Sequence, residues 1–299
     1  MNPIDPVSLR LFIRVVESGT IAAAADVEHL SAAAVSKRLS ELEGALNTPL
    51  LARTNKGVEP TGAGLALMKL ARSALAELDQ VKVQMESFSS GVRGLVRVCA
   101  SMSAITQFLA PPLRSFLVKH PDVQVQLEER TSPMVAKAVA ENAADLGIYL
   151  PVVSAPPGLQ EHPYLSDRLV VITAKNSALS SRKSVGLEHL IGHDLIGLHT
   201  SSAINVLLSR AAQDARRDLN IRIQVTSFDA LCMMVSTGLG IAVLPEGVAR
   251  RNAKTIPLHV IKLTEPWAER QFSICVRDRN ALPSAARLLL DHLIDDARR

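Results

Sequence analysis

The stretch SAAAVSKRLSELEGAL, residues 31–46, decides the fold of the N-terminal region. It begins with a serine and three alanines, continues with a Lys-Arg pair, and ends in leucines at helical spacing. Serine is a preferred helix N-cap, so the stretch predicts a helix that starts just after Ser31. The apolar residues that face inward from this helix are Val35, Leu39 and Leu42. Its small front end is then free to approach another surface closely.

Two more helices are predicted before this stretch. Apolar residues at helical spacing from about Pro6 predict a first helix, which ends at Ser18-Gly19 because glycine tolerates left-handed backbone. Thr20 can cap a second, short helix through IAAAADV, and EHL makes a tight turn. Two helices joined by a short turn form a helix-turn-helix, whose second helix lies in the major groove with its N-terminal residues toward the bases.

The segment NTPLLARTNKGVEPTGAG predicts a wing after this helix. Pro49 and Gly57 punctuate it, and Arg53 and Lys56 lie in an extended, turn-like loop. A two-stranded wing would place these cations on DNA phosphates. The alternative is a helical subdomain with a solvated basic edge. Residues 1–90 hold nine Lys/Arg against ten Asp/Glu, a net charge of −1, so DNA binding rests on local placement of cations.

A long helix capped by Thr61 is predicted to run to about Ser87. Apolar or small residues recur along it in alternating steps of three and four, which is the pattern of a coiled coil. The seam consists of Gly64, Leu67, Ala71, Ala74, Leu78, Val81, Met85 and Phe88. A dimer through this seam would present paired recognition helices to half-sites about 34 Å apart. The alternative is an amphipathic helix packed on its own domain.

The remaining residues predict an α/β fold. SFSSGVRG is a Ser/Gly hinge, and the segments after it alternate between strands and helices, which indicates a doubly wound, parallel sheet. The first strands are LVRVCAS, VQVQLEERT and DLGIYL, with a helix predicted from about Thr106 to His120. A second series begins at DRLVVITAKNSAL, and the strand FSICVR with the final helix returns to the first half. Two lobes joined by two crossings form a clamshell.

Small molecules bind such sheets beyond the carboxyl ends of the strands. Hydroxyl groups recur there, each followed by a helix start, and this combination suits an anion such as a carboxylate. The candidate ligand-binding residues are Ser101, Ser103, Thr131, Ser132, Tyr149, Thr200, Ser201, Ser202 and Phe228. The alternative is that each hydroxyl is an ordinary helix cap.

Composition and motifs exclude several classes of protein. The apolar content of 47% and charged content of 21% are ordinary for a folded protein with a sizeable core. No apolar run is long enough to span a bilayer and no secretory signal is visible, so a cytoplasmic location with no membrane contact is expected. The three cysteines are isolated. No G-x-S-x-G, P-loop or H-E-x-x-H motif occurs, and His189 with His193 lacks further ligands, so neither catalysis, a metal nor a cofactor is predicted.

The chain resembles the LysR-type transcriptional regulators along essentially its whole length. The resemblance is carried by LRLFIRVVESGTIAAAADVEHLSAAAVSKRLSELEGALNTPLLAR, by TGAG at the head of the long helix and by MMVSTGLGIAVLP. It implies three parts: a winged helix-turn-helix at 1–60, a dimerisation helix at 61–90 and an effector-binding domain at 91–299. Lobe I of that domain would comprise about 91–163 and 268–299, and lobe II about 164–267.

The resemblance also implies which residues face DNA, with Lys56 added from the wing. They are Ser31, Ala32, Ala33, Ser36, Lys37, Arg38 and Arg53. This chain departs from the family, which usually has glutamine at Ala32, a hydroxyl at Ala22 and phenylalanine at Leu51. A missing glutamine removes a bidentate adenine contact, so base specificity would depend more on DNA shape and on Lys37 and Arg38.

The predicted function is a non-enzymatic regulator that binds double-stranded DNA in a sequence-specific manner under control of a small, anionic effector. The resemblance implies a homodimer or homotetramer, with RNA polymerase as a further partner. The competing prediction is a cytoplasmic small-molecule-binding or enzymatic α/β protein with an accessory helical dimerisation domain.

Overall fold

A computed structural model describes residues 4–54, 57–90, 93–152 and 155–298, with side chains except at positions 53, 76–77, 79–80 and 82–90. The chain divides into two compact units, the first comprising the N-terminal 91 residues and the second nearly all of the chain from position 92. The first unit contains α1 (Pro6–Ser18), α2 (Ile21–Val27), α3 (Ala32–Leu46), β1 (Leu51–Thr54), β2 (Gly57–Pro60) and α4 (Gly62–Ser90). The predicted three helices, two-stranded wing and long helix are confirmed.

Side-chain caps start these helices where the sequence predicted them. The hydroxyl of Thr20 accepts a hydrogen bond from the backbone of Ala23 at 3.1 Å, at the start of α2. Ser31 does the same for α3 and Thr61 for α4, at 3.2 and 3.0 Å. Each cap satisfies a backbone N–H that has no partner within its helix. Gly19, with φ +71°, ends α1 in the left-handed conformation.

The core of the first unit lies between the three short helices. Val35, Leu39 and Leu42 of α3 are buried, as predicted, against Phe12 and Val15 of α1. Burying apolar side chains of this size contributes about 1.5–3 kcal/mol each. This packing holds α3 by its inward face and leaves its front end outside the core.

The wing is fixed to the end of α1. β1 and β2 pair antiparallel from Leu51 opposite Pro60 to Thr54 opposite Gly57. The backbone N–H of Val58 donates to the carbonyl of Gly19 at 2.8 Å. A Cβ atom at Gly57 would lie 2.2 Å from the Gly19 carbonyl oxygen, and its φ is +138°. Only glycine allows this close approach.

The front half of α4 packs inside its own unit, which corrects the predicted seam. A Cβ atom at Gly64 would lie 2.1 Å from the carbonyl oxygen of Leu50. Ala71 is buried against Leu9 of α1, with Leu67 packed beside it. Gly64 and Ala71 are buried in their own unit and not free to face a second copy, because a three-four pattern also suits a helix packed on its own domain. Leu67 is half-buried, and its place in a dimer seam stays a prediction.

Further along α4, the predicted seam residues Ala74, Leu78 and Val81 are exposed, as is Leu70. The side chains of Met85 and Phe88 lie outside the described residues.

The second unit alternates strands and helices. Its elements are β3 (Gly94–Ala100), α5 (Met102–Ala104), α6 (Ala110–Lys119), β4 (Val123–Glu129), α7 (Ser132–Ala140), β5 (Leu146–Tyr149), β6 (Gln160–Ala174), β7 (Ser184–Val185), α8 (Leu187–Leu190), β8 (Leu195–Leu198), α9 (Ala203–Asp214), β9 (Ile221–Val225), α10 (Phe228–Ser236), β10 (Ala242–Pro245), α11 (Glu246–Asn252), β11 (Leu258–Leu263), β12 (Glu269–Val276) and α12 (Ser284–Ala297). A π-helical turn joins α5 to α6, so this helical segment begins four residues before the predicted Thr106.

The main sheet has the order β4-β3-β5-β12-β6-β11-β7, with β10 also paired to β6. β3 is parallel to both β4 and β5, but β12 runs antiparallel to β5 and β6. The predicted parallel sheet is confirmed for β3, β4 and β5, whereas β12 and β6, the two strands that pass between the lobes, pair antiparallel with each other. β8 and β9 form a separate parallel pair, which a bridge at Leu195 and Ile241 links to the start of β10.

β6 passes from one lobe to the other. Residues 160–168 pair with β12, whereas residues 169–174 pair with β10 and β11. The register with β12 shifts between Gln271 and Ser273, where β6 carries one extra residue. Such a bulge bends a strand and increases its twist. The change of partners falls near residue 168, some residues after the expected boundary at 163.

Each lobe has its own apolar core. In lobe I, Val98, Ile148 and Phe272 of the sheet pack against helices that include α12, whose Leu289 is fully buried. In lobe II, Ile172 and Leu244 pack against α10 and its neighbours. Two separate cores joined by shared strands leave a crevice between the lobes, where the carboxyl ends of β3, β4 and β8 meet.

Candidate functional sites

The front end of α3 is exposed and bears only small side chains. Ser31, Ala32 and Ala33 are all exposed, and the first bulky residue, Val35, points into the core. Lys37 follows one turn later with a side chain 78% exposed and its ammonium 3.9 Å from Glu41. Ser36 is half-buried. Because these side chains are small, the backbone at the start of α3 can come close to a flat or grooved surface.

Arg38 is bound within the first unit. Its Nη1 lies 3.3 Å from Oδ2 of Asp5 and 3.3 Å from the hydroxyl of Ser8, at the start of α1. Its side chain is 33% exposed. The pKa of Asp5 is lowered, chiefly because the backbone N–H of Ser8 donates to its carboxylate and also because Arg38 is near. Arg38 thus links α3 to α1 as well as lying near the predicted DNA-facing surface.

The two wing cations are only partly described. The backbone of Arg53 lies in β1 opposite Val58, and its side chain lies outside the described residues. Lys56 also lies outside the described residues.

A cavity of about 230 Å³ lies between the two lobes of the second unit. Six of the predicted ligand-binding residues line it: Ser101, Ser103, Thr131, Ser132, Ser202 and Phe228. They come from the ends of β3 and β4 and from the starts of α7, α9 and α10. Most of the residues that were predicted from the ends of strands therefore line one cavity.

Tyr149, Thr200 and Ser201 do not line this cavity. Tyr149 is buried beside Cys99 and Cys275, on the other face of the sheet, and its hydroxyl donates to Glu161. Its pKa is raised, mainly by burial and then by that hydrogen bond. Successive residues of a strand point to opposite faces, so Leu150 lines the cavity where Tyr149 was predicted.

Thr200 and Ser201 lie in the loop before α9. Ser201 contacts Nδ1 of His199 through its hydroxyl at 2.8 Å, and His199 itself lines the cavity. The prediction that Thr200 and Ser201 line the cavity was wrong. Of the three neighbouring hydroxyl residues, only Ser202, which caps α9, lines the cavity.

Two cavity residues that the sequence did not single out come from β12. Arg270 and Phe272 both line the cavity, and the guanidinium carbon of Arg270 lies 5.2 Å from the centre of the Phe272 ring. Arg270 and Phe272 alternate directly before the run SICV of β12, and this spacing, which places both side chains on one face of the strand, is the signal that could have found them.

Arg270 is one half of a buried ion pair. Its Nε donates to Oδ1 of Asp167 at 2.7 Å, and its Nη2 donates to Oδ2 of the same carboxylate. The two side chains are 1% and 6% exposed, and the residues face each other across β12 and β6. Gln107 also donates to Asp167 at 2.6 Å. Both carboxylate oxygens of Asp167 thus accept hydrogen bonds, whereas Nη1 of Arg270 donates none to the described residues.

Two buried polar atoms at the cavity have no hydrogen-bond partner among the described residues. They are Nη1 of Arg270 and the hydroxyl of Ser101. Buried polar groups in folded proteins are nearly always paired. Two such groups on the wall of one cavity indicate a place for a polar atom of a ligand.

Other chemistry has little support in the part of the chain that the structure describes. That part contains no cluster of three His, Cys, Asp or Glu side chains able to hold a metal, and no helix in it is long and apolar enough to span a membrane. The three thiols are buried, and burial raises the pKa of Cys99 and Cys232 to about 11 and of Cys275 to about 12. Such thiols are protonated and poor nucleophiles near neutral pH.

A winged helix-turn-helix followed by a two-lobed α/β unit with a cavity defines a class of ligand-responsive regulators. Comparison with known families agrees: residues 7–65 match the bacterial regulatory helix-turn-helix proteins of the lysR family, and residues 89–298 match the LysR substrate binding domain. The second match covers more than half of the chain. The protein belongs to the LysR family and is a LysR-type transcriptional regulator.

Individual relatives are distant but cover the full length. The chain is 24% identical over 290 residues to the nitrogen assimilation regulatory protein nac of Escherichia coli K12, covering 96% of this chain and 93% of that protein. It shares its fold with CbnR, a LysR family transcriptional regulator, at a TM-score of 0.74 and 20% identity, covering 99% and 100% of the two chains. The structure of full-length CbnR in complex with its target DNA has a TM-score of 0.71 and 21% identity, and covers 99% of each chain.

Proposed function

We propose that this regulator binds double-stranded DNA through the front of α3, with the wing on the flanking phosphates, and that a small molecule in the cavity between the lobes controls that binding. The observation that carries the proposal is the exposed Ser31-Ala32-Ala33 tip, which is held from behind by Val35 and Leu39. A recognition helix presents such an end to base edges in the major groove. A regulator of this kind works where the DNA is, in the bacterial cytoplasm.

Bulk at the tip is the most direct test. Ala33→Leu adds a branched side chain at an exposed helical position, so folding should be unaffected, whereas close approach to the bases should be blocked. Ala45→Leu is the matched control, because Ala45 is also exposed but lies at the far end of α3. The measurement is binding of full-length protein to genomic fragments selected by the wild type. Equal binding by both variants would contradict the proposed orientation of α3.

Charge removal tests the phosphate contacts. For Arg38→Ala with Arg53→Ala, we expect weaker binding and a salt dependence whose slope falls by roughly 2, since each phosphate contact contributes about 0.9 to the slope. Lys175→Ala, at an exposed position of the second unit, should leave the slope unchanged. Unchanged affinity in the double variant would reject DNA binding by this surface.

We also infer that the protein works as a homodimer or homotetramer through the distal part of α4. Leu70, Leu78 and Val81 are about half exposed or more and lie on one side of the helix. A single charge in this row, Leu78→Glu, should lower the mass measured by light scattering at equal concentration. Lys69→Glu, at an exposed position of the same helix, is the control.

A further inference from the structure

We propose that the cavity between the lobes binds a compact monocarboxylate with an apolar body, and that Arg270 and Ser101 hold its carboxylate. The inference rests on the proposed function only in its regulatory consequence, because the chemistry of the cavity stands on its own contacts. It gives an acceptor to Nη1 of Arg270, which the ion pair with Asp167 leaves without a hydrogen bond.

The first step is the number of donors on Arg270. A guanidinium carries five N–H groups, of which one on Nε and one on Nη2 are donated to Asp167. Nη1 is buried without a partner among the described residues, although Arg270 lines the cavity. Arginine is always protonated, so this group can only donate and needs an acceptor. Carboxylates are the acceptors that match its geometry best.

The second step is the fixed position of that donor. Asp167 holds two nitrogens of Arg270, and the Phe272 ring lies beside the guanidinium at 5.2 Å. Gln107 in turn holds Asp167 at 2.6 Å. A group held on three sides before binding loses little conformational freedom when a ligand arrives.

The third step is a second donor on the same wall. Ser101 is 7% exposed and stands at the start of α5, but its hydroxyl makes no capping hydrogen bond. It is unpartnered among the described residues and lines the same cavity. A hydroxyl and a guanidinium donor together suit the two oxygens of one carboxylate.

The opposite wall adds backbone donors. Ala203 and Ile204, the first two residues of the twelve-residue helix α9, also line the cavity. Ser202 caps the N–H of Asn205 at 3.2 Å, and the first N–H groups of a helix have no partner within it. The positive end of the helix dipole therefore adds to the attraction for an anion.

The rest of the cavity sets the body of the ligand. Most of the exposed surface of the cavity is apolar, with Met102, Leu150, Leu198, Phe228 and Phe272, while Glu129, His199 and several hydroxyl-bearing residues also line it. Arg130, the other cation on the wall, is already paired with Glu128 at 2.7 Å. A volume of about 230 Å³ lies below the range of about 300–1,000 Å³ that holds drug-sized ligands. These features favour one carboxylate on a small apolar skeleton over a sugar, a nucleotide or a polyanion.

The test uses full-length protein and pairs of ligands that differ only in charge. Phenylacetate, cyclohexanecarboxylate and 3-methylbutanoate are each compared with their primary amides by thermal shift and calorimetry, with inorganic phosphate as a further arm. At least one acid should raise the melting temperature, since a ligand that binds only the folded state stabilises it. Its amide should bind at least roughly tenfold more weakly, because the hydrogen bonds become neutral.

Two variants test the assigned residues. Ser101→Ala removes an unpartnered hydroxyl without orphaning another group, and should weaken the acid about tenfold. Asp167→Asn with Arg270→Gln keeps hydrogen-bonding groups but removes both charges, and should weaken it about a hundredfold. The matched control is Arg168→Gln with Glu269→Gln, the adjacent and more exposed pair on the same two strands, which should bind as the wild type does. Ser101→Ala decides the matter if the double variant does not fold.

Several results would overturn the inference. They are no shift with any acid, amides that bind as well as acids, phosphate that binds as well as the acids, or variants that bind acid with wild-type affinity. Duplex binding is measured separately on the same protein. If DNA binds and acids do not, the carboxylate site is rejected and the proposed function stands. If acids bind and DNA does not, the proposed function is rejected and the ligand assignment stands.

Discussion

Two arginine–aspartate pairs in this protein have the same chemistry but different surroundings. Arg38 and Asp5 join α3 to α1 at 3.3 Å, with side chains 33% and 24% exposed. Arg270 and Asp167 join β12 to β6 and are almost fully buried. Water screens the first pair and is excluded from the second. An exposed ion pair contributes little to stability, whereas breaking a buried one leaves an uncompensated charge in the interior.

The difference suggests different uses. Arg38 can exchange Asp5 for another anion, such as a phosphate, at little cost because solvent already competes for it. Arg270 cannot leave Asp167, so it can only add a partner through its free Nη1. Arg38 can change its partner and Arg270 cannot, which suits the proposed DNA-binding surface and the proposed ligand site, respectively.

Breaking the buried pair should have the largest effect. Arg270→Ala leaves the Asp167 carboxylate buried without its cation, and we expect the free energy of unfolding to fall by about 3–5 kcal/mol. Urea denaturation of the second unit's transition in the full-length protein measures this. The double variant Asp167→Asn with Arg270→Gln is the control and should lose less, because no unpaired charge remains. A loss below about 1 kcal/mol in the single variant would mean that the pair is solvated.

Breaking the exposed pair should cost much less. Arg38→Ala should lower the free energy of unfolding by about 0.2–1 kcal/mol at low salt. The difference should shrink in about 1 M NaCl, where the screening length is ~3 Å. Lys37→Ala, whose side chain is 78% exposed, is the matched control and should have no measurable effect. A loss that salt does not reduce would point to packing of the Arg38 side chain instead of its charge.

The pH dependence of the exposed pair follows from Asp5. Its folded-state pKa lies below the usual 3.8, first through the Ser8 backbone hydrogen bond. The stabilisation is therefore fully present above pH 3.8 and is lost as the pH falls through the lower, folded-state pKa. Asp5→Asn keeps the helix cap but not the charge, so it should be less stable than the wild type near neutral pH. That gap should close in acid; a gap that widens in acid would give the shift the opposite sign.

The smallest effect is expected for the neighbour of the buried pair. Arg168 and Glu269 face each other across the same strands, one residue away from Arg270 and Asp167, and the Glu269 side chain is 70% exposed. Arg168→Gln should change the free energy of unfolding by less than about 0.5 kcal/mol. A loss comparable with that of Arg270→Ala would show that position on the strands, and not burial, sets the cost.

Local signals in the sequence predicted the first unit well. The caps Thr20, Ser31 and Thr61 mark helix starts because a short side chain and a backbone N–H two or three residues later suffice to make them. The seam on α4 was partly wrong because spacing of apolar residues cannot tell a second copy from the helix's own domain. Leu67 and Ala71 fit both patterns, and only the position of α1 decides between them.

Long-range pairing limited the prediction of the second unit. The sequences of β6 and β12 predict ordinary strands. Nothing in either segment indicates that these strands pass between the lobes or that they pair antiparallel with each other. Arg270 and Asp167 are 103 residues apart, so their meeting depends on strand register. The six serine, threonine and phenylalanine residues at the cavity were found because the ends of strands are local features. Tyr149 was misplaced because its orientation depends on a count of residues within the strand.

The extra residue in β6 gives this strand an unusual sensitivity to changes in length. Residues after the register shift alternate between the crevice and the opposite face, and Asp167 lies on the side that reaches Arg270. Deleting one residue near Leu165 would remove the bulge and straighten the strand, while Asp167 would keep its place opposite Arg270. Insertions and deletions are usually tolerated in loops, but here the loss of one residue in mid-strand would change the bend with which β6 passes from one lobe to the other.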